Sequence, residues 1–146
     1  MPKFGQRSRA NLATCHEDLR VLFNEIVRWW DCSVLCGARS QEEQDAAFYS
    51  GRSKVKFPNS KHNVGPGAPR EISSAVDVMP YPIDWHDRER IIQFAGFVRG
   101  VATVLLDEGT ISHRITWGGD WDSDGSTKDH SFFDGPHYQL EEVDDA

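Results

Sequence analysis

Ala75-Val-Asp77-Val-Met79 is a short apolar run of β-prone residues with one acid at its centre, and it reads as a buried strand. An ionised carboxylate is costly to bury unless it meets a cation, so Asp77 needs a partner. Three further stretches have strand character: Ser33-Val-Leu-Cys36, Ile115-Thr-Trp117 and His137-Tyr-Gln-Leu140. Around them lie amphipathic helices. From Thr14 the sequence Thr-Cys-His-Glu fits a capping box in which Thr14 caps the helix start and Glu17 reaches back; Leu19, Leu22, Phe23 and Ile26 follow at helical spacing, ending near Trp30. Ser40-Gln-Glu-Glu43 repeats the pattern before a helix that should stop at Ser50-Gly51. Asp87 through Leu106 is the strongest helix, with Ile91, Ile92, Phe94, Ala95, Val98, Val101, Ala102 and Leu105 on its apolar face. Arg39 therefore falls between a strand and a helix start.

Residues 52–70 carry Lys54, Lys56, Pro58, Pro66, Gly67 and Pro69 and read as a long loop. Long loops in small domains are often functional.

A chain of 146 residues fits one domain, 1–146, and leaves little room for a second. An apolar fraction of 38% with 11% aromatics is that of a folded protein. The net charge of -7 argues against nucleic acid as a partner, because phosphate binding needs a cationic surface. The charge is uneven: residues 1–73 hold 11 Lys+Arg against 8 Asp+Glu, and residues 74–146 hold 5 against 15. Cys15, Cys32 and Cys36 are odd in number and form no C-x-x-C pair, so buried free thiols are expected. The N-terminus has no apolar signal core, and no run approaches the roughly 20 apolar residues that span a bilayer. A protein made in the cytoplasm, without membrane insertion, is expected.

Among six histidines, His62 and His137 sit where loop and strand readings meet. A metal bound by His62, Asp77 and His137 would supply the cation that Asp77 needs, giving three protein ligands and an open position. On spacing alone, an aspartate turned out of an edge strand and two surface histidines fit at least as well. His16, His86, His113 and His130 receive no role.

Ser60-Lys-His62-Asn-Val-Gly65, continued by Ala75-Val-Asp77, resembles the S-x-H-x-x-G-x-A-x-D motif of the VanY-like zinc peptidases. These include D-alanyl-D-alanine carboxypeptidases and phage L-alanyl-D-glutamate endopeptidases. Asp134-Gly-Pro-His137 is similar to their closing acid-x-x-His motif. Phe4-Gly-Gln-Arg-Ser-Arg-Ala-Asn-Leu12, Gly37-Ala-Arg39-Ser40 and Trp117-Gly-Gly-Asp-Trp121 resemble the phage endolysin branch, so the likeness covers nearly the whole chain. One departure stands out: the family places its Asp seven residues after the first His, whereas here the separation, 77 − 62, is 15, an insertion of 8 around Pro66–Ser73.

The resemblance implies an α+β fold, a small antiparallel sheet flanked by helices, with zinc between the sheet and the long loop on His62, Asp77 and His137. It implies Asp134 as general acid/base and Arg39 as an anchor for a peptide carboxylate, for which a guanidinium is suited. Ser60 would help bind the same end. The simpler readings are a turn aspartate in Asp-Gly, a surface ion pair for Arg39 and a loop hydroxyl for Ser60. Asp120-Trp-Asp122-Ser-Asp124-Gly125 has the opening of a calcium loop, but its twelfth position is Ser131 rather than a bidentate Glu, so a solvated acidic loop fits better than calcium. The function expected is a phage endolysin that cuts the L-alanyl-D-glutamate bond of peptidoglycan, acting as a monomer on the wall after release through a holin pore. The alternatives are a D-alanyl-D-alanine carboxypeptidase and a non-enzymatic zinc-stabilised wall-binding module.

Overall fold

The structure, a computed structural model, describes residues 1–126 and 132–141. Its order is α1 (Gln6–Ala13), α2 (Glu17–Trp29), β1 (Cys32–Cys36), α3 (Gln41–Tyr49), β2 (Ala75–Pro80), α4 (Arg88–Asp107), β3 (Ile115–Trp117) and β4 (His137–Leu140). The strands form one antiparallel sheet in the order β1-β2-β4-β3, so the fold is α+β as expected. β2 is central, which excludes an Asp77 turned out from an edge strand.

One face of the sheet builds the core. Val34 opposes Val78, Val76 opposes Tyr138 and Tyr138 opposes Trp117, so these side chains share a face. Against it α2 brings Leu19, Leu22, Phe23 and Ile26, and α4 brings Phe94, Ala95 and Val98, all buried. Phe23 meets the Tyr138 ring edge-on at 5.3 Å. Asp77, Cys36 and His137 share the opposite face, because side chains alternate along a strand. The site thus stands on a sheet whose reverse is locked into the core.

Two local expectations are corrected. Thr14 does not start a helix; it ends α1, its hydroxyl donating to the Asn11 carbonyl and accepting from Ala38 N–H at 2.8 Å. The N-cap of α2 is His16, whose Nδ1 accepts from Asp18 N–H at 3.0 Å. Helix α1 itself gave no periodic signal, since it buries only Leu12. It is held by β1 instead: Ser8 Oγ accepts from Val34 N–H at 3.0 Å and Asn11 Nδ2 donates to Val34 O at 2.9 Å, which covers the free edge of that strand. The capping box Ser40/Glu43 forms as read, and Gly51 with φ +83° follows the end of α3. Of the cysteines, Cys15 and Cys32 are buried but Cys36 is only half-buried, at the floor of a cleft.

Candidate metal centre and cleft

Strand pairing brings the first two residues of the site together. Asp77 on β2 lies directly opposite His137 on β4, so their side chains are neighbours. His62 arrives from the long loop, which is tied to the β1–α3 turn by Arg39 N–H to His62 O at 2.8 Å and Val64 N–H to Arg39 O at 3.2 Å. The inserted segment braces that loop from outside, with Arg70 Nη1 donating to Ser60 O at 2.9 Å and to Asn63 O at 3.3 Å.

Three potential ligand atoms converge. His62 Nε2 lies 3.2 Å from Asp77 Oδ1 and 3.2 Å from His137 Nδ1, and His137 Nδ1 lies 3.4 Å from Asp77 Oδ1. Tetrahedral zinc with bonds of about 2.0–2.2 Å places its ligand atoms about 3.3–3.6 Å apart, so the donor set and its spacing are close to what that ion needs. The outer nitrogens support the same reading. His62 Nδ1 lies 2.7 Å from the Gly37 carbonyl, which can only accept, so Nδ1 carries the proton and Nε2 presents a lone pair. His137 Nε2 donates to Gln139 Oε1 at 2.8 Å, leaving a lone pair on Nδ1. Two ring nitrogens and a carboxylate face one another at a buried point, an arrangement that needs a cation, a proton or a metal ion, between them.

The electrostatics agree. Burial works against a charged His62, but the Asp77 carboxylate outweighs it and raises the imidazole to about 10. Burial likewise pushes Asp77 upward, and His62 and His137 outweigh it, holding the acid well below the usual carboxylate range. With no metal bound the cluster therefore holds a proton between His62 and Asp77, the position a metal cation would take over.

Asp134 stands at the edge of this cluster, Oδ2 4.0 Å from His137 Nδ1. Its carboxyl is raised, chiefly by burial and further by the Asp77 charge, against the pull of His137, His62 and Arg39. A raised carboxyl beside a candidate metal position is suited to carrying a proton. Arg39 is in the cleft rather than in a surface ion pair: Nη2 lies 3.6 Å from Asp77 Oδ2 and Nη1 donates to Gln44 Oε1 at 2.9 Å. Ser60 is buried, its Oγ accepting from His62 N–H at 3.2 Å, so it shapes the ligand loop as well as lining the cleft.

The cleft has a volume of about 1170 Å³. Arg52, Lys54 and Lys61 line it beside Arg39, and Trp85, Trp121 and Phe133 give it aromatic walls. The Trp121 ring lies 5.3 Å from that of His137.

Among the described residues, two other groups bring potential ligands within 4.8 Å of one another. Asp120, Asp122 and Asp124 do so as the sequence suggested. Asp120, however, is fully buried, with its carboxylate accepting from Gly125 N–H at 2.8 Å, Asp124 N–H at 3.1 Å and Arg99 Nη2 at 3.0 Å. Burial opposes its charge, but the Gly125 N–H and Arg99 prevail and lower it to about 2. Ser131 lies outside the described residues. The other group, His16, Asp18 and His113, was given no role from sequence and proves to be a clasp. Asp18 Oδ2 accepts from His113 Nδ1 at 2.7 Å, Ser112 N–H at 3.0 Å and His113 N–H at 3.1 Å, while the His16 Nδ1 lone pair is used as a helix cap. The polar atoms of this group are taken up by hydrogen bonds, whereas His62 Nε2 and His137 Nδ1 face each other and Asp77.

Sequence reasoning missed Gly37, Gln44 and Gln139. Gln139 was accessible, since a residue two places from His137 on a strand shares its face. Gly37 was not, because its carbonyl meets His62 across 25 residues of chain.

The fold and the cleft together define a class, an α+β protein with a candidate metal centre and a neighbouring acid suited to hydrolysis. The chain belongs to the phage L-alanyl-D-glutamate peptidase family, whose model matches residues 1–141. It is therefore a peptidase that acts on peptidoglycan, and the carboxypeptidase and binding-module alternatives fall away. Among solved structures it is similar to the L-Ala D-Glu endopeptidase ChiX of Serratia marcescens, with 27% identity and a TM-score of 0.67 over 95% of this chain and 90% of that one. No curated protein sequence matches it significantly. Among the described residues no helix is long and apolar enough to cross a membrane.

Proposed function

We propose that the chain hydrolyses the L-alanyl-D-glutamate bond of peptidoglycan stem peptides at a zinc centre held by His62, Asp77 and His137. The observation that carries this reading is the convergence of two inward ring nitrogens and one carboxylate oxygen at 3.2–3.4 Å. Bound there, zinc would supply a Lewis acid that activates water and polarises the scissile carbonyl.

The protein's own residues do the rest. Gly37 O and Gln139 Oε1 fix the histidine tautomers, and Arg39 balances the second oxygen of Asp77. Asp134 takes a proton from the attacking water and returns it to the departing D-glutamyl amine, a transfer its raised carboxyl favours. Arg39 anchors a carboxylate of the substrate, aided by Ser60, and the basic residues beside it suit an acidic peptide. The chain is read as a monomer with a single catalytic domain, 1–146. Its substrate places its action at the wall, outside the host membrane. A calcium ion on Asp120, Asp122 and Asp124 rests on their mutual proximity alone; calcium should then raise the melting temperature of the parent and not of Asp122→Ala.

Digestion of purified peptidoglycan followed by mass spectrometry tests the reading. Peptides with a new N-terminal D-glutamate, leaving L-alanine on the muramyl sugar, are expected. Release of D-alanine alone, or no product from zinc-loaded protein on several wall types, would overturn it. Equal zinc content and activity in His62→Ala, Asp77→Ala and His137→Ala would remove the centre from these residues.

A further inference from the structure

Gln44 is fully buried on α3, and every hydrogen-bonding position of its amide is used. Oε1 accepts from Arg39 Nη1 at 2.9 Å and from Asn63 Nδ2 at 3.0 Å. Nε2 donates to Ser53 Oγ at 2.9 Å and to Val55 O at 2.7 Å. One side chain therefore joins three parts of the cleft: the arginine of the β1–α3 turn, the loop that carries His62, and the rim at residues 53–55.

We propose that Gln44 is a positioning residue that sets the Arg39 guanidinium in the cleft and so governs recognition of the substrate carboxylate. This rests on the reading that Arg39 contacts substrate. The argument is one of geometry and charge. Arg39 has four rotatable side-chain bonds, and its Nη2 is 3.6 Å from Asp77 Oδ2 and 3.7 Å from Cys36 Sγ, both too long to fix it as hydrogen bonds to oxygen do. The Nη1 bond to Gln44 is the short contact that sets its orientation. Glu43, beside it in the sequence, also lines the cleft and offers a carboxylate that a released guanidinium could pair with instead. A neutral acceptor at position 44 holds Nη1 without neutralising the cation, so the charge stays available to Asp77 and to a ligand. Asn63 completes the arrangement: its Oδ1 accepts from Ser60 N–H at 3.0 Å, so the amide that orients Arg39 also fixes the loop of Ser60 and His62.

The test is a double-mutant cycle on the zinc-loaded enzyme with a soluble stem-peptide substrate, measuring kcat and KM separately. Gln44→Met should raise KM about tenfold with kcat changed less than about threefold, the pattern of lost uniform binding. In an Arg39→Met background the same change should have less than about a twofold further effect, because the residue through which it acts is gone. Gln44→Glu keeps both acceptor contacts but sets a carboxylate on Arg39 Nη1, so its KM should also rise about tenfold in the parent and by less than about twofold in the Arg39→Met background. This second variant decides the matter if Gln44→Met does not fold. Losses that multiply in the two backgrounds, or a Gln44→Glu enzyme with the parent KM, would overturn the proposal and leave Gln44 a structural residue. If Arg39→Met alone leaves KM unchanged, the reading of Arg39 as the substrate anchor fails, and with it the role of Gln44. If Arg39→Met raises KM and Gln44→Met does not, the proposal for Gln44 fails by itself.

Discussion

Gly118 lies directly beneath Asp134 with no room for a side chain: a Cβ there would overlap the Asp134 carbonyl oxygen and stand 3.0 Å from the Cβ atoms of both Asp134 and His137. The backbone bonds run both ways, Gly118 N–H to His137 O at 2.7 Å and Asp134 N–H to Gly118 O at 2.8 Å. The Trp117-Gly-Gly-Asp120 stretch thus clamps the turn that presents a candidate ligand and a candidate proton carrier.

Gly118→Ala should therefore cost both stability and activity. Overpacking of this kind destabilises by about 1–3 kcal/mol, and the displaced groups are those of the site. Gly96, in the middle of α4 with nothing within 4 Å of a built Cβ, is the control. Gly96→Ala should stabilise by about 0.5–1 kcal/mol through helix propensity and leave turnover unchanged. Thermal melts and activity for both variants check this, and equal behaviour would refute the clamp.

What could be read from the chain follows the range of the interactions involved. All four strands, α3 and α4 were legible because their signals are local: β-prone runs, the Ser40/Glu43 capping box, and the repeat of Ile91, Phe94, Ala95 and Val98. Helix α1 was not, because bonds from Ser8 and Asn11 to Val34 hold it across more than 20 residues of chain. The Thr14 capping pattern misled for the same reason: its hydroxyl is claimed by Asn11 and Ala38. The set His62, Asp77 and His137 could be named from motifs, but its geometry depends on the β2–β4 register and on Gly37, which no local pattern encodes.

The Asp18 clasp predicts a pH-dependent stability. Burial opposes its charge, but hydrogen bonds from His113 and Ser112 outweigh this and lower the carboxyl. A depressed native acid stabilises the fold fully above its unfolded value of about 3.9 and loses that contribution as pH falls through the native value. Asp18→Asn should melt below the parent at pH 7, and the gap should close below about pH 4 as the parent acid protonates. A gap independent of pH would mean that the carboxylate charge is not what holds α2 to the segment before β3.

Tyr138 offers a case in which a deletion should help. Its ring is fully buried against Phe23, and its hydroxyl is the one buried side-chain polar atom without a partner among the described residues. An unsatisfied buried hydroxyl costs about 1–3 kcal/mol, so Tyr138→Phe should raise the unfolding free energy by about 1 kcal/mol or more. Denaturant titration measures it. A loss of stability would show that the hydroxyl is satisfied in solution.

Asp134→Asn separates binding from chemistry at the proposed centre. The carboxyl stands 4.0 Å from His137 Nδ1, outside the 3.2–3.4 Å set formed by the three ligand candidates, so its removal should leave zinc stoichiometry intact. An amide fills the same space and keeps the turn closed, since the backbone bonds from Asp134 N–H to Gly118 O and from His137 N–H to Asp134 O do not involve the side chain. What it cannot do is take up a proton at neutral pH and release it to a leaving amine. Loss of a positioned general acid/base lowers rates by about 10²–10⁴-fold. The expected result is a variant with one zinc per chain and the parent melting temperature, but kcat reduced by at least about 100-fold and KM little changed. Near-parent kcat would assign the proton transfer to another group. Lost zinc would instead place Asp134 among the ligands, and a fall in melting temperature alone would make it a turn residue.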